Sequence, residues 1–149
     1  MTPRTKAAAI TLASLTALAG LTACGPSQQD QDKTAAADVA TKFVQASSFD
    51  KCRYLAVYTT PEAIERCQAS RSSESEKKAG SQDWAVQATE PWGAGYAVKL
   101  KGVDLEVVGL VKVGSDWKVS KYDTTSESVA AQSDWACQVI GGPDCGGGK

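Results

Sequence analysis

The chain has 149 residues, room for one domain, and carries 16 basic against 17 acidic side chains. That balance excludes the strong positive field of a nucleic-acid binder. The sequence contains no histidine, which excludes imidazole general bases, Ser-His and Cys-His nucleophile pairs, and imidazole-ligated metals.

Arg4 and Lys6 form a short positive region, followed by a mostly apolar run rich in Ala and Leu from Ala7 to Leu21. That run is too short to cross roughly 30 Å of hydrocarbon as a helix, but it has the length of a secretory signal core. No later stretch approaches the length of a spanning helix. Directly after it stands Leu21-Thr22-Ala23-Cys24, which resembles the lipobox of bacterial prolipoproteins at all four positions: an aliphatic residue, a small one, Ala, then Cys. The resemblance implies a diacylglyceryl group on the thiol of Cys24 and cleavage by the lipoprotein signal peptidase between Ala23 and Cys24, so that residues 1–23 are a leader. The alternative is an ordinary signal peptide cut at Ala17-Leu18-Ala19, with Cys24 a plain thiol. Without Arg4 and Lys6 the mature chain keeps 14 basic and 17 acidic side chains, a net charge of −3. Such a surface does not attract anionic headgroups, so membrane residence falls to the lipid. Two acyl chains suffice, at about 0.8 kcal/mol per buried methylene.

Cysteine parity points the same way. Of the five cysteines, lipidation of Cys24 leaves Cys52, Cys67, Cys137 and Cys145, an even number for an oxidising compartment. Four cysteines allow three connectivities. Nearness in sequence favours Cys52-Cys67 and Cys137-Cys145; a bridge from Cys52 or Cys67 to the tail is the rival. None lies in a Cys-x-x-Cys arrangement, so a structural role is expected rather than a redox one.

In the mature chain, residues 24–33 comprise the lipidated cysteine and a polar, flexible tether with no apolar residue to bury. From Thr34, a candidate N-cap, Ala36, Val39, Ala40, Phe43 and Val44 fall on one helical face. A second helical stretch is expected over Asp50 to Tyr58. Thr60-Pro61-Glu62 opens a third, running to about Ala69, with Thr60 capping and Pro61 at the first helical position. Arg71 to Asp83, with its charge run Glu74-Ser75-Glu76-Lys77-Lys78, reads as an exposed loop.

After Asp83 the period changes to two. Trp84, Val86 and Ala88 alternate with polar or small residues; Glu90 to Gly95 reads as a turn; Tyr96, Val98 and Leu100 form a half-buried strand that Gly102 breaks. Leu105, Val107, Gly109, Val111 and Val113 make the next inward row, although Val108 and Leu110 leave both faces partly apolar. Gly114-Ser115-Asp116 is a hairpin turn, and Trp117 to Tyr122 closes an antiparallel meander. Residues 124–149, with Trp135, Val139 and Ile140 among Ser and Gly, read as a loosely ordered tail stapled locally if Cys137 pairs with Cys145, its last four residues disordered. Helices followed by strands give an α+β domain over residues 34–123, with helices packed on one face of a curled antiparallel sheet.

Three features of that domain resemble the nuclear transport factor 2-like, cystatin-like cone superfamily. They are the amphipathic first helix leading into Phe49-Asp50-Lys51-Cys52-Arg53-Tyr54, then Thr60-Pro61-Glu62-Ala63, and the late hairpin Val113-Gly114-Ser115-Asp116-Trp117-Lys118-Val119. The resemblance implies a sheet curled around the long helix, with a conical cavity used for small ligands, partner proteins, or isomerase and dehydratase chemistry. Asp50, Tyr54, Tyr58, Tyr96 and Glu106 are the polar candidates for such a cone, but none maps onto a catalytic position of the superfamily. Asp30, Asp32 and Asp38 lack the spacing of a calcium loop, and neither a cofactor nor a metal is expected.

The expected function is therefore that of a monomeric, non-enzymatic lipoprotein on the extracytoplasmic face of a cell membrane, of the Gram-positive type. It would bind a small apolar ligand or a partner protein through the cone mouth, with Tyr54, Tyr58, Trp92 and Tyr96 as contact residues. An envelope-interaction or spacer protein without a pocket is one alternative, and a cone-fold isomerase or dehydratase is the other.

Overall fold

The computed structural model describes residues 25–71, 83–142 and 145. The expected leader, Cys24, the 74–78 charge run and the last four residues lie outside them.

The first helix, α1 (Gln28–Gln45), begins six residues before Thr34. The backbone N–H of Asp30 donates to the Ser27 hydroxyl (3.2 Å), and the Asp30 carboxylate accepts from the Ser27 backbone N–H (3.3 Å). This reciprocal capping box satisfies orphan donors of the first turn. Residues 28–33 bury no apolar stripe; they are helical because of this cap and two ties to the sheet. The Tyr96 hydroxyl donates to the Gln29 carbonyl (3.3 Å), and the Lys112 ammonium lies 2.8 Å from an Asp32 carboxylate oxygen. The tether thus shrinks to Gly25–Ser27.

The second helix is also corrected. It spans only Ser48–Lys51 (α2), capped by Ser47. The chain then turns and extends so that Leu55 bridges Val119 in parallel. Ala56 N–H donates to the Val119 carbonyl (2.8 Å), and Val119 N–H donates to the Tyr54 carbonyl (2.7 Å). Tyr54 to Ala56 therefore cover a sheet edge that would otherwise expose unpaired backbone groups. Helix α3 (Pro61–Arg71) starts as expected, with Ala63 N–H donating to the Thr60 hydroxyl. A disulfide joins Cys52 to Cys67, clamping α2 to α3. Closing that 15-residue loop is worth about 3 kcal/mol in the chain-entropy account.

Strands β1 (Ala85–Trp92), β2 (Gly95–Lys101), β3 (Leu105–Val113) and β4 (Asp116–Thr125) form a curled antiparallel meander in the order β1-β2-β3-β4. The stretch Glu90 to Trp92, read from sequence as turn, continues β1, and the turn is only Gly93-Ala94. Pro91 is tolerated because β1 is an edge strand, where its missing N–H costs no ladder bond. Gly93 and Gly114 open the two tight hairpins with φ of 56° and 65°, conformations that a side chain disfavours.

The sheet is covered on both faces. On one, Ala36, Ala40, Phe43 and Val44 of α1 pack against Tyr96, Val98, Leu100, Val108, Leu110 and Val119. On the other, Trp92, Ala97 and Val107 pack against Trp135, Ala136 and Ile140. The last three belong to α5 (Trp135–Ile140), which follows the short α4 (Glu127–Ala130). The tail is thus no loose extension: residues 126–142 form a second layer. The row Leu105, Val107, Gly109 and Val111 faces these tail helices rather than α1. Gly109 is needed there, since a Cβ would stand 2.8 Å from Ile140 Cδ1 and 2.9 Å from Trp92 Cζ3. A second disulfide joins Cys137 to Cys145.

Candidate functional site

Paired residues on neighbouring strands share a face. Glu106 lies between Leu100 of β2 and Thr124 of β4, and Tyr122 lies opposite Val108, so both Glu106 and Tyr122 stand on the α1 face. The α1 N-terminus is tied to Tyr96 and Lys112 at the far end of the strands, and Phe43, near its C-terminus, meets Tyr122 with ring centroids 4.7 Å apart, edge to face. Where α1 stops, Lys51 of α2 reaches over this end of the sheet. Its ammonium lies 4.9 Å from the Phe43 centroid and 5.8 Å from that of Tyr122, within cation–π range. Tyr54 meets the Phe43 ring edge-on at 6.4 Å. Phe49 and Tyr122 keep 40% and 43% of their surface in solvent. The open end of the α1 face thus gathers aromatic rings, an ammonium and a carboxylate.

The carboxylate is perturbed. Burial raises the Glu106 pKa above its ordinary value; the Lys51 charge opposes that shift and Asp104 adds to it. A carboxyl group that holds its proton to higher pH when folded contributes most stability when protonated, and that contribution is lost as pH rises through its folded pKa. Glu106→Gln is therefore expected to raise the urea midpoint at neutral pH and to leave it unchanged well below the carboxylate range. An equal gain at both pH values would sever the effect from ionisation.

Of the four contact residues expected from sequence, the structure brings only Tyr54 to this end. Tyr58 is half-buried in the turn before α3. Trp92 and Tyr96 are packing residues and are corrected as such. Trp92 is 7% exposed in the α5-side core, its indole N–H donating to the Gly141 carbonyl at 2.6 Å. Tyr96 is 9% exposed under the start of α1, its ring 5.5 Å from that of Trp117. Both aromatics were legible as aromatics, but the partners that bury them come from the first turn of α1 and from the tail. Sequence reasoning missed Lys51, Phe49 and Tyr122 as site members, because only the tertiary placement of α2 beside β4 unites them.

Other features stand apart. Glu90, on the opposite face, has a pKa raised by burial, countered by Lys99 and by a hydrogen bond from Trp135. Lys99 in turn lies over the Trp135 ring and donates to the Ala130 carbonyl, so this cluster fastens the tail helices. A recess of about 370 Å³ beside the β1–β2 turn is lined by Trp92, Gly93, Ala94, Val111, Lys121 and Gly142, among others. Another, about 340 Å³, lies between α3 and Lys118; among its lining residues, Gln68 is buried with its amide nitrogen unpaired. Among the described residues no group of three or more His, Cys, Asp or Glu is placed to hold a metal ion, and no helix is long and apolar enough to cross a membrane. No protein-family model matches the chain, and no curated protein or solved structure matches it.

Proposed function

We propose that the chain is a lipoprotein held to the extracytoplasmic face of a cell membrane by a diacylglyceryl group on Cys24, and that its domain is a non-enzymatic, cone-like binding module. The observation that carries the anchor is the cysteine arrangement. Cys52 pairs with Cys67 and Cys137 with Cys145, so the one cysteine left out of both bridges is the one that ends the lipobox-like tetrapeptide. Without the lipid, an odd thiol outside the cell would be left for an intermolecular bridge or as a free reactive group.

Between the two ligand classes expected from sequence, a partner protein is favoured over a small apolar molecule. The α1 face is filled by its own side chains along the helix. Apolar surface is left exposed at Phe49 of α2 and Tyr122 of β4, with Val57 and Val103 more than 70% exposed. The aromatic rings at the open end of the α1 face are of the residue type that protein interfaces favour. Glu106 is the observation that favours the second reading, a cone-fold isomerase or dehydratase, since a carboxylate with a raised pKa suits a general base.

Cys24→Ser tests the anchor. The variant is expected to move from the membrane fraction to the soluble extracytoplasmic fraction or the medium. Unchanged membrane retention would defeat the proposal.

A further inference from the structure

We infer that the domain is held against the bilayer by one particular end, with the open end of the α1 face directed away from the lipid. This rests on lipidation of Cys24 and deepens that reading by assigning the domain's orientation.

The argument begins with the corrected start of α1. Only Gly25, Pro26 and Ser27 separate Cys24 from the first helical residue. At no more than about 3.6 Å per extended residue, that leash keeps the helix start within about 14 Å of the lipidated residue. The start of α1 is itself fixed to the sheet by the Tyr96–Gln29 hydrogen bond and the Lys112–Asp32 ion pair. Tyr96 lies two residues past the β1–β2 turn, Gly93-Ala94, and Lys112 two residues before the β3–β4 turn, Gly114-Ser115. Both tips therefore share the anchored end of the molecule. The opposite end holds the β2–β3 turn, Gly102 to Asp104, and with it Glu106. The seven residues of β2, at about 3.3 Å each, put roughly 23 Å between the two ends.

A short leash fixes which end is near; what keeps the body from lying flat is the lack of a competing attraction. The mature chain is net acidic at −3, so no electrostatic pull draws a flank onto anionic headgroups. The exposed outer side of α1 mixes Asp38 and Lys42 in sequence positions that neutralise one another. The turns at the near end are Gly93-Ala94 and Gly114-Ser115, with the exposed Asp116 beside the second, so its tips carry no large apolar side chain to insert below a headgroup layer. The partner engaged by Lys51, Phe49, Tyr122 and Glu106 then approaches from the aqueous side.

The test uses the full chain, lipidated in a bacterial host and reconstituted into phosphatidylcholine vesicles containing some phosphatidylglycerol. A fluorophore is placed at Ser115→Cys on the near end or at Val103→Cys on the far end, and quenching by nitroxide-labelled headgroups is measured. Quenching at position 115 is expected to be several-fold stronger than at position 103. Inserting a flexible Gly-Ser segment between Gly25 and Pro26, long enough to span the domain, is expected to abolish the difference. Equal quenching at both positions in protein that stays on the vesicles, or stronger quenching at 103 through insertion of the exposed valine, overturns the orientation alone. Protein that washes off the vesicles, with an unmodified Cys24 by intact mass, overturns the anchor and the orientation together.

Discussion

Phe43→Ala is expected to destabilise the domain by about 3–5 kcal/mol, the range for removing a buried aromatic ring. Phe43 is fully buried and is the largest side chain that α1 contributes to its core. It also supports three neighbours at once: Tyr54 and Tyr122 stack edge-on against it, and Lys51 lies over its face. Loss of the ring leaves a cavity between α1 and β4 that these half-exposed groups fill poorly. Against a total stability of roughly 5–15 kcal/mol, the loss is a large share, read as a lowered urea midpoint. Phe43→Leu, which keeps most of the apolar volume, is expected to cost under about 1.5 kcal/mol. Comparable costs for the two substitutions would mean that the ring geometry, and not the filled volume, holds α1 in place.

Trp92→Ala is expected to be as damaging, by about 3–5 kcal/mol, through the opposite face. Trp92 packs with Ile140 over Gly109 and donates its indole N–H to the Gly141 carbonyl. Its removal unseats α5, so hydrogen exchange over residues 126–142 should rise before exchange over β2 and β3 does. Trp92→Phe separates the two contributions. The ring area is largely kept, while one buried hydrogen bond is lost at a cost of about 1–3 kcal/mol. Were the tail a loose extension, neither substitution would exceed the roughly 0.5 kcal/mol typical of surface changes.

Much of this fold is legible in the sequence because local and tertiary signals agree. The face Ala36-Ala40-Phe43-Val44, the Thr60-Pro61 start of α3 and the Gly114-Ser115 hairpin follow from spacing and turn chemistry alone, whereas the two disulfides are the pairing that nearness in sequence favours among three connectivities. The first turn of α1 is not legible from periodicity, because residues 28–33 are polar throughout and owe their helix to the Ser27–Asp30 cap. The tail helices escape for a different reason: at four and six residues, neither is long enough to display a helical period. A signal for them did exist in β3. Val108 and Leu110 on one side, and Val107 and Val111 on the other, make a strand apolar on both faces, which requires a covering layer on each. With α1 on one face, residues 126–142 supply the other cover.

The candidate site was half legible. Tyr54 and Glu106 were chosen from residue type, but their company was not, because α2 and β4 are separated by more than sixty residues and are brought together by the Leu55–Val119 bridge, the Lys118 hydrogen bond to the Arg53 carbonyl and the contacts around Phe43 and Tyr122.

The Tyr96–Gln29 and Trp92–Gly141 hydrogen bonds have a topological corollary. They seat the first turn of α1 and the residue after α5 astride one hairpin, on opposite sides of the sheet. The fold is in that sense nearly closed on itself. A linker passing around the Gly93-Ala94 tip would join the two, and the backbone would tolerate a new opening at the exposed Val103-Asp104 turn, giving a circularly permuted molecule with the same layers.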